Sequence, residues 1–133
     1  MDNRRGDKIV EIEGYLKSLR SFLPENFEKY ISDGKSRMAC ERCFEKVIEA
    51  VVDLAFLVIK ERSFKNPDYT REAFEILSEK GLICGELSLS LGKAKSMRNW
   101  LAHRYGKVDD KKVFDATKNK LFNDVEEFVE AVR

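Results

Sequence analysis

Proline and glycine are scarce in this chain, 2 and 7 among 133 residues. An all-β fold of short strands needs turn formers about every 8–12 residues, so that class is excluded. An excess of one charge is missing too. The 25 Lys+Arg and 24 Asp+Glu leave a net +1, which excludes a generally basic nucleic-acid coat but not a local patch. Long apolar runs are also absent. The richest stretch, Val47 to Ile59, is broken by Glu49 and Asp53, well short of the ~20 residues of a spanning helix. No apolar segment of signal-peptide type follows Met1 to Asp7, so a cytoplasmic protein without membrane association is expected.

Cysteine is limited to three residues, an odd number, and a chain of this length can bury a core without disulfide staples. A reducing compartment is therefore expected. Cys40-Glu41-Arg42-Cys43 has the spacing of a metal or redox pair, yet only Cys84 and a single histidine remain elsewhere. A closed structural zinc site needs four ligands, and a thioredoxin-like pair needs a strand before it. Packing inside a helix is the expected role, and no metal or cofactor is called for.

What the chain does contain is 43% hydrophobic and 37% charged residues, too apolar for disorder. The apolar residues recur at helical spacing. Ile9, Ile12, Leu16, Leu19 and Leu23 step 3, 4, 3, 4, one stripe on a helix that stops before Pro24. Asn26 to Ser32 form a short piece that Asp33-Gly34 breaks. From about Ser36 to Arg62, Phe44, Val47, Val51, Leu54 and Val58 form a stripe widened by Ile48, Ala55 and Ile59, which predicts the central helix. Asn66-Pro67-Asp68 is a turn, and Asp68 or Thr70 is the expected cap of a short helix carrying Ala73, Phe74 and Leu77. Gly81 marks its end.

A further helix is expected over roughly Glu86 to Arg104, ended by Gly106. Asp109 or Asp110 then caps a last helix carrying Phe114, Leu121, Val125, Phe128 and Val132. With no repeat, low-complexity tract or linker, residues 1–133 read as one domain: an all-α antiparallel bundle of four long helices with additional short ones.

The helix from Glu86 carries the chemistry. Between Leu87 and Val108 there is no acidic residue, while Lys93, Lys95, Arg98, Arg104 and Lys107 are basic. A basic segment on an otherwise acidic chain is a candidate phosphate footprint, although short basic runs are equally common on solvated faces. Arg98 falls on the apolar stripe Leu87, Leu91, Ala94, Leu101, so it needs an anionic or hydrogen-bonding partner. A second stripe, Gly92, Ser96, Asn99 and His103, is small and polar, open to close approach by another helix or a ligand. His103 is the one histidine. A lone histidine is more often structural, but imidazole is a side chain suited to acid–base work near neutrality, and the neighbours here favour that role.

The run Arg98-Asn99-Trp100-Leu101-Ala102-His103-Arg104-Tyr105-Gly106-Lys107-Val108-Asp109 resembles the signature of HEPN domains. It is most similar to their HepT branch: Arg, four residues, His, one residue, Tyr. Pro67 to Phe74 and Lys8 to Ile12 are similar to that family as well, as is the helix order. The resemblance implies an all-helical homodimer with a composite active site. It further implies a metal-independent ribonuclease toxin whose partner, a minimal nucleotidyltransferase antitoxin, adenylylates the motif tyrosine. Carried over, Arg98 and His103 are catalytic, Asn99 is supporting and Tyr105 is the AMP acceptor, with Lys93, Lys95, Arg104 and Lys107 as the RNA-binding patch. The polar stripe through Ser96 is the expected place of approach in the dimer. The alternative is a non-catalytic helical module that binds a nucleotidyltransferase and holds its nucleotide substrate.

Overall fold

The computed structural model describes residues 3–103 and 109–133. Helix α1 (Arg4–Phe22) runs to the residue before Leu23-Pro24, and a short α2 (Phe27–Ser32) follows. Helix α3 (Gly34–Glu61) begins two residues earlier than its apolar stripe indicates, because Asp33 caps it. The Asp33 carboxylate accepts from Ser36 N at 3.3 Å and from Ser36 Oγ at 2.7 Å. These bonds hold the Asp33 carboxyl below its ordinary range.

Helix α4 (Thr70–Glu79) is capped by neither Asp68 nor Thr70. Tyr69 stands at the cap position without a side-chain bond, and Glu72 instead reaches back to Asp68 N at 3.1 Å. Gly81, with φ +78°, takes the left-handed conformation that ends α4. Helix α5 (Gly85–His103) follows, and then a nearly continuous last helix. Its parts are α6 (Asp110–Ala116), a π-helical turn (Thr117–Leu121) and α7 (Phe122–Val132). Asp109, not Asp110, caps α6 by accepting from Lys112 N at 3.1 Å. The π-turn brings Thr117 into the core, where its hydroxyl donates to Val113 O at 2.7 Å and so leaves no polar group unpaired.

Helix α3 is the hub: α1, α2, α4 and α5 all pack on it, while α5 also touches α4 and α7. The buried residues form one cluster from Ile9 to Val132. Four long helices plus short ones make the bundle, with no strand among the described residues. No described helix is long and apolar enough to cross a membrane. Cys40 is buried on α3, and burial pushes its thiol up to about 12, so it packs as a small apolar residue.

Two buried polar atoms break the pattern among the described residues, one of them on α2. Tyr30 is buried against Phe27 and Phe114, with ring centroids 6.3 and 5.1 Å away, and its hydroxyl has no hydrogen-bond partner among the described residues. Burial pushes this phenol well above its ordinary pKa. Removing an unpaired buried hydroxyl relieves a desolvation cost, so Tyr30→Phe is expected to stabilise the fold by about 1 kcal/mol. Urea unfolding of the two proteins checks this; a Tyr30→Phe midpoint below wild type means that the hydroxyl is satisfied in solution.

Candidate functional site

Helix α5 starts where Cys84 Sγ accepts from Leu87 N at 3.4 Å, with Glu86 in the first turn at the positive end of the helix dipole. Leu87, Leu91 and Leu101 anchor it in the core, and Ala94 and Met97 lie half-buried beside them. This register fixes what the remaining positions face. Arg98 points from the core-facing side toward α3, where its Nη2 donates to Glu49 Oε1. Its Nη1 donates to Asn99 Oδ1 at 3.2 Å, and its Nε is buried without a partner among the described residues.

Glu49 is the anion that an arginine on an apolar stripe requires, and it comes from within the chain. Lys46, one turn before it on α3, lies 3.5 Å from its other oxygen. The Arg98 hydrogen bond holds the Glu49 carboxyl below its ordinary value, against the opposing effect of partial burial. Sequence reading missed Glu49. It is an interruption in the apolar stretch Val47 to Ile59, and that interruption was its only local signal.

His103 is exposed in the last turn of α5. Arg98 and His103 are five residues apart, so they leave the helix ~140° from one another at 3.6 residues per turn. Asn99 joins the two directions: its side chain accepts from Arg98, and it shares the His103 face at i,i+4. The polar stripe itself is already partly covered. Arg71 of α4 lies across its first two positions, with Nη2 donating to Ser96 Oγ at 3.1 Å. A Cβ on Gly92 would meet Arg71 Nε at 3.2 Å, so glycine gives the guanidinium room to lie flat on α5.

Of the basic residues expected to form the RNA-binding patch, the two described ones do not share a face. Lys93 and Lys95 leave α5 ~200° apart. Lys93 lines an apolar groove of about 440 Å³ between α5 and the last helix, with Phe44, Leu89, Met97 and Lys120, and neither Arg98 nor His103 borders it. Arg104, Tyr105 and Lys107 lie outside the described residues. The described site is thus Glu49, Arg98, Asn99 and His103, with Arg71 two turns away along the same face. It holds a fixed guanidinium, an amide and an accessible imidazole, the groups needed to hold an oxyanion and move a proton.

The chain matches the HepT-like ribonuclease family over residues 12–132. A protein of Archaeoglobus fulgidus, provisionally named an RNase, is 32% identical over 92 residues, 64% of this chain and 68% of that relative. Among solved structures, a tri-AMPylated HEPN toxin of Shewanella oneidensis in complex with an MNT antitoxin superposes with a TM-score of 0.92 at 21% identity. That match covers 99% of this chain and 98% of the other. A cytosolic protein of unknown function, YutE of Bacillus subtilis, gives 0.78 at 18% identity, covering 96% and 87%. At such identities these two show the fold alone.

The Glu49–Arg98 pair makes a prediction for stability. Glu49→Gln leaves the guanidinium without its counter-charge and is expected to cost about 1 kcal/mol at pH 7, discounted because both side chains are partly exposed. The folded state holds this carboxyl below its ordinary 4.5, so the stabilisation is full above that pH and is lost as pH falls through the lower folded-state value. Denaturant unfolding at a series of pH values is expected to show the two proteins converging in acid. A constant gap between pH 7 and pH 3 contradicts this.

Proposed function

The chain belongs to the HepT-like ribonuclease family, and on that premise we propose that it is the toxin of a toxin–antitoxin pair, an endoribonuclease silenced by adenylylation of Tyr105. The observation that carries the reading is the arrangement at the end of α5: Arg98 is held by Glu49 and Asn99, while His103 stands exposed on the face that Asn99 shares.

In the proposed reaction the ribose 2′-oxygen attacks the adjacent phosphorus. The 2′-proton passes to a base, the P–O5′ bond breaks, and an acid protonates the departing 5′-oxygen. The products are a 2′,3′-cyclic phosphate and a 5′-hydroxyl. Arg98 holds the phosphate and opposes the charge that grows on it, with a planar fork of donors that lysine lacks. Asn99 keeps the fork in position. His103 serves as base or acid, and its second role falls to the same residue of another copy, which a two-fold dimer supplies. Asn99 and His103, beyond the stretch that Arg71 covers, are where the copies approach. Proton transfer on imidazole and charge neutralisation by guanidinium need no metal.

Silencing follows from electrostatics. A partner nucleotidyltransferase joins the Tyr105 phenol oxygen to the α-phosphorus of ATP, the α–β anhydride breaks, pyrophosphate leaves and the phenol proton goes to base. The product carries a phosphodiester charge and a bulky nucleotide two residues from His103, and both repel or occlude RNA. The AMP-bearing, antitoxin-bound state of the Shewanella toxin supports this partner and this modification. The Glu49–Arg98 pair favours a second reading, a non-catalytic partner of the nucleotidyltransferase, because a guanidinium matched by a carboxylate is also a structural pair.

Incubation with RNA in EDTA, followed by end-group analysis, separates the two. Cyclic phosphate ends are expected, with His103→Ala and Arg98→Ala each losing about 10²-fold or more while keeping wild-type helix content. Unchanged cleavage by pure His103→Ala protein excludes the mechanism. Light scattering is expected to give twice 15.5 kDa; an active monomer excludes the shared site. Tyr105→Phe is expected to cleave RNA and to take up no AMP by intact mass, whereas a full adduct on that variant puts the acceptor elsewhere.

A further inference from the structure

Arg71 is exposed on α4, and its one hydrogen bond among the described residues is to the neutral Ser96 hydroxyl. No described carboxylate forms an ion pair with it. Of the three acidic residues that share its shallow surface, Glu72 is turned to Asp68 N, and Glu75 and Glu79 form no ion pair with it. Among the described residues no carboxylate is therefore bonded to it, unlike Arg98. Its position is fixed, because Gly92 lets it lie against α5 and Ser96 holds Nη2.

The place where it is held relates it to the proposed chemistry. Ser96, Asn99 and His103 step 3 and 4 along one face of α5, so the Ser96 position stands ~10.5 Å from that of His103 at 1.5 Å per residue. That is a distance over which a single RNA strand engaged at His103 continues to further phosphates. Tyr69, 76% exposed, borders the same surface as Arg71 and offers a ring on which a base can stack.

We propose that Arg71 is a second phosphate subsite, gripping the RNA backbone at a phosphodiester beside the one that is cut. This rests on the reading of His103 and Arg98 as an RNA-cleaving site, and it assigns the direction in which the strand leaves that site: along α5 toward Ser96 and α4. The fork of Arg71 suits a phosphate held by two parallel N–H bonds.

The test is binding of a single-stranded 2′-O-methyl oligoribonucleotide, which has no free 2′-hydroxyl to attack, measured across a salt series. Each phosphate contact in a single strand contributes about 0.7 to the slope of log affinity against log salt. Arg71→Gln and Arg71→Met are both expected to lower the slope by about that amount and to weaken low-salt binding about tenfold. Arg71→Lys is expected to keep the slope. Glutamine can still bond Ser96 and methionine cannot, so a loss confined to Arg71→Met reflects packing and overturns the subsite. Wild-type slope and affinity in both variants overturn it too, even where RNA cleavage is intact, as does failure of the wild-type protein to bind the oligonucleotide at low salt. An Arg71-dependent slope in a protein that cuts no RNA upholds the subsite and rejects the cleavage reading instead.

Discussion

A guanidinium can occupy the core-facing side of α5 only if something on α3 answers it. Glu49 does so, and the rest of the site depends on that bond. Without a counter-charge, Arg98 would have to swing outward to water or remain as a costly unpaired charge beside Leu101 and Ala94. With it, Arg98 lies three-quarters covered and aimed. The carboxylate does not turn the neighbourhood negative, because Lys46 stands on its other oxygen. Two cations and one anion leave the cluster with a net positive charge, which still attracts phosphate.

This arrangement requires a rigid α3. Helix α3 packs against α1, α2, α4 and α5, and Val47, Ile48, Ala50 and Val51 around Glu49 are all buried. Glu49 therefore rides on a helix braced by four others, and the geometry it imposes on Arg98 is held by that packing. The imidazole has the opposite setting, an exposed position in the last turn of α5. A fixed electrostatic group and an accessible proton carrier on one helix is a division of labour that the bundle makes possible. Core packing holds one end of the requirement and the helix terminus opens the other.

What could be read from the sequence divides along the same line. Periodicity is local, so it recovers the stripes of α1, α3 and the last helix, the cap by Asp109 and the stop at Gly81. The spacing of Arg98, Asn99 and His103 on one helix is equally local. Glu49 and Arg71 are not local: they meet α5 from 49 and 25 positions away, and only the assembled bundle brings them there. The demand was legible even where the answer was not, since an arginine on an apolar stripe announces a missing anion and a glycine on a polar stripe announces a close approach. Thr117 is a different kind of case. A threonine at a core position reads as a break in the stripe until the π-turn and its bond to Val113 O make it a satisfied core residue. At α4, Tyr69 carries no side-chain acceptor positioned to bond the first turn, so neither flanking oxygen is used and Glu72 takes over the contact with the preceding backbone.

The link between the two ends of the site is Asn99. An arginine and a histidine five residues apart cannot share a helix face, and yet in the proposed reaction one phosphate meets both. Asn99 is adjacent to Arg98 in the chain and one turn before His103, and its carbonyl oxygen holds Nη1. It thereby draws one arm of the fork around the helix toward the imidazole side. The bond to Glu49 uses Nη2, and Nε, on the same edge of the fork, is buried with no partner among the described residues. An unpaired donor there is a cost in the isolated fold. In the proposed reaction the phosphate therefore meets the Nη1 arm that Asn99 holds, on the side of α5 where His103 stands.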